Sequence, residues 1–148
     1  MTGTDFDYII IGGGSAGCVL AHRLSADPQH RVLLLEAGPR DWHPFIHMPA
    51  GISKLVNLKG VNWNYETEPE PRLGGRRLWW PRGRVLGGSS SINAMCYIRG
   101  HRADYDEWAA MGNPGWDWDA VLPYFKRAEN QERGADALHG SGGMLNVK

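Results

Sequence analysis

The chain has 148 residues, 42% of them hydrophobic, and 16 basic residues balance 16 acidic ones. That length suits one domain, and the zero net charge gives no global argument for a nucleic acid or an anionic membrane as partner. No run approaches the roughly 18 apolar residues of a membrane span. The start, Met-Thr-Gly-Thr-Asp, lacks the basic opening of a signal peptide. Cys18 and Cys96 show no C-x-x-C spacing and suggest no disulfide framework. The expected setting is cytoplasmic and reducing, with peripheral contact to a membrane or an electron acceptor left open.

Tyr8-Ile9-Ile10-Ile11 is a short apolar run suited to a strand buried on both faces. Gly12, Gly14 and Gly17 follow with G-x-G-x-x-G spacing. The first glycine allows a tight turn, the second lets backbone approach phosphate, and the third lets helix and strand pack closely. A helix is expected from Ser15, with Val19, Leu20 and Leu24 apolar and Ala16 and Ala21 small. Its unpaired N–H groups and positive dipole end would face an anion. Cys18 reads as a small packing residue of this helix. Val32-Leu33-Leu34-Leu35 reads as a second buried strand, and Glu36 follows where an acceptor for ribose hydroxyls is expected. An acid there argues against a 2′-phosphate. The pattern points to an ADP-containing dinucleotide without separating NAD from FAD. The alternative is a parallel βαβ unit with a glycine turn and no ligand.

Beyond Glu36, prolines and glycines punctuate shorter segments. Residues 52–58 suit a short helix. Residues 62–67 alternate aromatic or β-branched with polar groups and suit a strand, with 76–80 as its partner across the turn Leu73-Gly74-Gly75. From Arg72 to Arg102 there are seven arginines and no acid. Within that positive stretch, Gly87-Gly88 and three serines precede a helix expected from about Ser90. Backbone N–H groups and hydroxyls there could converge on a second anion or the polar edge of a flavin. The alternative is a glycine turn followed by a serine-capped helix. Trp79-Trp80-Pro81-Arg82 could stack bases, but the balanced charge disfavours nucleic acid.

Residues 103–111 suit a helix with acids in its first turn and Gly112 as its stop. Residues 117–130 suit another, kinked or broken by Pro123. A glycine-rich loop covers 134–143, and 144–147 begins a strand. No later segment reads as a third buried parallel strand. The chain therefore reads as an N-terminal fragment, the alternative being a small complete α+β domain. His43 and His47 have a metal-compatible spacing, but Pro44 and Pro49 oppose a regular helix and no third ligand is evident. No metal is expected. His101 and His139 read as loop histidines, and Asp104, Asp106 and Glu107 as helix-start acids.

Two regions together resemble the N-terminal part of the glucose–methanol–choline (GMC) oxidoreductases, in their choline and alcohol dehydrogenase branch. The first is Gly12–Gly17 with Glu36-Ala37-Gly38. The second runs from Gly83 to Asp106: Gly-Arg-Val-Leu-Gly-Gly-Ser-Ser-Ser-Ile-Asn, then Tyr97, Gly100 and Asp106. Residues 62–69, 97–100 and 122–125 are similar as well, so the resemblance spans essentially the whole chain. It implies an α/β, Rossmann-like FAD-binding domain, present over 1–148 as an incomplete N-terminal part. A substrate-binding domain would begin near 144, and the catalytic segment would lie beyond. Gly12, Gly14, Ser15, Ala16 and Gly17 would hold the FAD pyrophosphate, and Glu36 with Ala37 the adenosine ribose. Val85 and Gly87 would line the cofactor, with Asn93, Ala94, Met95 and Cys96 near the flavin. Ile92 stands where some relatives attach flavin to a histidine, so non-covalent FAD is implied. The family's C-terminal histidine pair has no counterpart here, so no catalytic residue is assigned. The implied reaction is oxidation of a small primary alcohol by hydride transfer to flavin N5. A nucleotide-binding module or a truncation without turnover is the alternative.

Overall fold

The computed structural model describes residues 5–148, which form two compact units divided after Cys96. In the first unit, β1 (Tyr8–Ile11) leads through the glycine turn into α1 (Ser15–Leu24) and returns as β2 (Val32–Leu35). The strands pair in parallel, with Tyr8 opposite Val32 and Ile11 opposite Leu35. Gly12 continues the ladder, donating its N–H to the Leu35 carbonyl at 2.7 Å. The turn then needs φ +98° at Gly12, a left-handed value that a side chain would strain. A Cβ on Gly17 would lie 1.9 Å from the Gly12 carbonyl oxygen, so helix and turn meet only because that side chain is absent.

The strands are not buried on both faces as their composition suggests. Ile10 is buried, with Gly17 of α1 beside it, while Ile9 and Ile11 on the opposite face are exposed, Ile11 by 86%. One helix covers one face of a two-stranded sheet, and no described element layers the other.

The apolar core of this unit lies elsewhere. Leu55, Val61, Val85 and Ile92 are buried together, with Phe45, Ile46 and Leu58 packed around them. They come from the 3₁₀ turn Pro44–His47, from α2 (Ile52–Leu55) and the segment after it, and from the second glycine loop; a second 3₁₀ turn, Pro49–Gly51, joins the first turn to α2. The helix expected over 52–58 is thus a single turn. β3 (Tyr65–Glu66) pairs antiparallel with β4 (Trp79–Trp80), and bridges at Asn62–Gly83 and Glu70–Arg76 extend the ribbon.

No α-helix starts at Ser90. Residues Gly88–Ser91 form one 3₁₀ turn. The Ser91 hydroxyl donates to the Leu86 carbonyl at 2.8 Å, and the Ser89 hydroxyl accepts from Gly83 N–H at 3.1 Å. Serine hydroxyls that satisfy nearby backbone compete with helix propagation.

In the second unit, α3 (Arg102–Ala110) starts one residue earlier than expected, at a reciprocal cap. His101 Nδ1 accepts from Ala103 N–H, and Asp104 accepts from His101 N–H at 2.7 Å. α4 (Trp118–Ala128) continues through Pro123 without a break. It ends at Glu129, where the backbone becomes extended and opens β5 (Glu129–Gln131), in parallel with β6 (Leu145–Val147). Composition gives β6 but not β5, whose residues are polar. Tyr105 gathers Trp108, Trp118 and Phe125 at ring-centre distances of 5.5 to 5.7 Å.

Candidate functional site

Three loops of the first unit converge at the carboxyl ends of β1 and β2. The first is the turn Gly12–Gly14, the second is Glu36–Pro39, and the third is the signature loop from Gly83 to Ser91. Gly87 donates its N–H to the Gly13 carbonyl at 2.7 Å, and Leu86 donates to the Pro39 carbonyl at 2.9 Å. The hydroxyls of Ser15 and Ser90 are hydrogen-bonded to each other. The serines of the third loop thus serve bonds within the protein rather than aiming together at a second anion. This loop braces the first one.

Glu36 sits between the loops. One carboxylate oxygen accepts the Gly13 N–H at 2.7 Å and the other the Gly38 N–H at 2.8 Å. The first-turn N–H groups of α1 have no carbonyl one turn earlier within the helix. Gly14, its N-cap, is extended at φ −78°, ψ −169°. A Cβ added at Gly12 or Gly14 would meet no atom within 4 Å. Both glycines open onto a groove of about 630 Å³, lined also by Ile11, Leu35, Glu36 and Ala37. An adjoining groove runs along Ser15, Ala16 and Gly17.

The first groove holds residues that the sequence reading passed over. Trp63 and Tyr65 line it and stack on each other, rings 5.8 Å apart and 5° from parallel. The Arg84 guanidinium lies 5.1 Å from the Trp63 ring, and Arg82 lines the same wall. The available signal was the alternation of aromatic and polar residues over 62–67, although only Tyr65 lies in β3 and Asn64, between the two rings, takes φ +53°. Alternation identified the strand but not what its aromatic face was for.

The remaining expected site residues disperse. The Val85 side chain is fully buried in the core, so only its backbone could meet a ligand. Gly87 serves through the bond to Gly13. Ile92 is core. Asn93 and Met95 line a separate, small cavity with Phe45, Ile46 and Leu55, while Ala94 and Cys96 are exposed. Met95 adopts φ +57°, a left-handed value uncommon for a side-chain-bearing residue. Cys18 is half-buried and its thiol donates to the Gly13 carbonyl at 3.2 Å. His43 caps the turn Pro44–His47, its Nδ1 accepting from Phe45 N–H, and His47 bonds the Asp41 carbonyl.

The family model described as GMC oxidoreductase matches residues 6–148. The chain belongs to the GMC oxidoreductases. It is 56% identical to an alcohol dehydrogenase [acceptor] of Pseudomonas putida, over 96% of this chain and 26% of that protein. It is 52% identical to the mitochondrial choline dehydrogenase of Mus musculus, over 97% of this chain and 25% of that protein. Among solved structures, pyridoxine 4-oxidase from Mesorbium loti superposes with a TM-score of 0.89 at 45% identity, covering 96% of this chain and 28% of that one. This GMC chain therefore spans about a quarter of the length of these relatives. Its α/β architecture is that of the family's FAD-binding region. No helix among the described residues is long and apolar enough to cross a membrane.

Proposed function

We propose that this chain is the FAD-binding part of a flavin-dependent oxidoreductase that oxidises small primary alcohols, of choline-like or simpler kind, to aldehydes. The observation that carries the reading is the open face of Gly12 and Gly14, set in one groove with Glu36 and the Trp63–Tyr65 stack. That donor set fits an ADP-containing group part by part. Backbone N–H groups at the head of α1 suit a pyrophosphate. Glu36 keeps a second lone pair on each oxygen for ribose hydroxyls. The aromatic pair offers an apolar face for a base, and Arg82 adds positive charge beside the anion.

FAD, when bound, supplies the hydride-accepting chemistry. The contribution of these residues is to bind and orient it. No group of this chain is assigned the alcohol's proton. The Ile92 side chain is sealed in the core and offers no nucleophile, which accords with non-covalent flavin. Acid precipitation should leave the flavin in the supernatant.

Gly14→Val tests the binding reading. The extended backbone at residue 14 accepts a β-branched side chain, and space for it is present. The fold should be kept while the groove is filled. Flavin titration should show at least a tenfold loss of FAD affinity with an unchanged melting temperature. Undiminished affinity would remove the cradle from the binding site. For the activity, residues 1–148 by themselves should give no flavin-coupled dye reduction with choline or simple primary alcohols, because they supply no group for the alcohol's proton. Clear turnover by these residues would overturn that expectation.

A further inference from the structure

We propose that Glu36 is a positioning residue for the anion loop: its carboxylate holds the Gly13 and Gly38 N–H groups and so fixes the turn that opens onto the groove. The proposal rests on the nucleotide-binding reading and deepens it.

The Gly13 peptide is held at both ends. Its N–H goes to Glu36 at 2.7 Å, and its carbonyl accepts from Gly87 N–H at 2.7 Å and from the Cys18 thiol at 3.2 Å. With its carbonyl drawn to Gly87, Gly13 is fixed as the last residue before the α1 cap, and its own N–H is committed to Glu36 rather than to a phosphate. The donors that remain for an anion are those following it, at the head of α1. The other oxygen of Glu36 ties down Gly38 at 2.8 Å. Gly38 in turn lies flat on the third loop, since a Cβ there would fall 2.1 Å from the Arg84 backbone. One side chain at the end of β2 therefore sets all three loops relative to one another.

An acid is needed for this. Both hydrogen bonds are donated to Glu36, and only a carboxylate accepts at both ends. Glutamine has the same shape but would set an NH₂ group against one of the two N–H groups. The clamp and a ribose contact use different lone pairs, so both can hold at once and the experiment must separate them.

The protein and its Glu36→Gln variant are titrated with FAD and with an FAD analogue whose adenosine carries no 2′- or 3′-hydroxyl. A residue that served the ribose alone would leave affinity for the analogue unchanged on substitution. The clamp predicts that the variant binds the analogue at least tenfold more weakly. Backbone amide exchange, measured without ligand, gives an independent readout. The Gly13 and Gly38 amides should be protected in the parent and released in the variant, while those of β1 and β2 stay protected. Unchanged affinity for the analogue overturns the proposal, and so does free exchange of Gly13 and Gly38 in the parent. If the parent binds no FAD, the nucleotide reading fails, and the exchange measurement still decides the clamp. Should Glu36→Gln fail to fold, the parent's exchange pattern decides it.

Discussion

Asp136 accepts hydrogen bonds from the Leu138 N–H at 2.7 Å, the His139 N–H at 2.6 Å and the His139 ring at 3.0 Å. The ring bond comes first among the causes that lower its carboxyl from 3.8 to about 2, followed by the two backbone donors. A carboxyl held below its unfolded value stabilises the folded loop above that value. Stability should therefore be full above about pH 4 and lost progressively as pH falls toward 2. NMR titration should place the Asp136 carboxyl midpoint near 2, with the Leu138 and His139 amides shifting at the same pH. An ordinary midpoint near 3.8 would count against the turn. At this scale the sequence told much: it marked Gly12, Gly14 and Glu36, and the structure gathers them in one groove. It could not tell that Glu36 already spends one lone pair per oxygen on Gly13 and Gly38, because the first partner lies 23 positions away. Nor could it separate Val85 from the groove, since an apolar residue in a glycine loop reads equally as lining or as core.

Asn62 does for the ribbon what Glu36 does for the loops. It is buried; its side-chain N–H donates to the Val56 carbonyl at 2.7 Å, and its oxygen accepts from Asn64 N–H at 2.9 Å and Arg82 N–H at 3.0 Å. Asn62→Ala leaves those backbone groups short of partners and should cost about 1–3 kcal/mol in denaturant unfolding. A loss within error would mean that other partners replace it. The second unit has a comparable fastening. Glu129, 0% exposed, pairs with Arg99 at 2.5 Å and accepts the Gly140 N–H at 3.2 Å, while Arg99 also donates to the Leu138 carbonyl. Arg99→Ala would strand a buried carboxylate and should destabilise this unit by about 3–5 kcal/mol. Thermal unfolding followed by Trp fluorescence would read that loss. The same pair explains why β5 is not legible in the sequence. Glu-Asn-Gln has neither apolar alternation nor β propensity, and it becomes a strand because Arg99 and Gly140 satisfy Glu129 in the interior. By contrast α3 and α4 follow their caps, His101 with Asp104 and Asp117 with Ala120 N–H, and these signals are local.

Parallel sheets are ordinarily covered on both faces, and here the register makes the uncovered face explicit. Ile9 lies opposite Leu33 and Ile11 opposite Leu35, so these four point to one side, away from the Ile10 face that meets Gly17. Ile9, Ile11 and Leu35 are all exposed. Contiguous apolar surface of this kind drives association. Prepared as these 148 residues, the chain should bind a hydrophobic dye and elute above its 16.5 kDa monomer mass. Replacing Ile9 and Ile11 together by Thr keeps β-branched residues on the strand while removing apolar surface. The double variant should melt within about 1 kcal/mol of the parent, since exposed methyl groups contribute little to folding. It should also lose most of the dye binding and shift toward monomer. A monomeric parent without dye binding would show that the face is satisfied as it stands. A variant that unfolds instead would show that Ile9 and Ile11 pack more closely than their exposure implies.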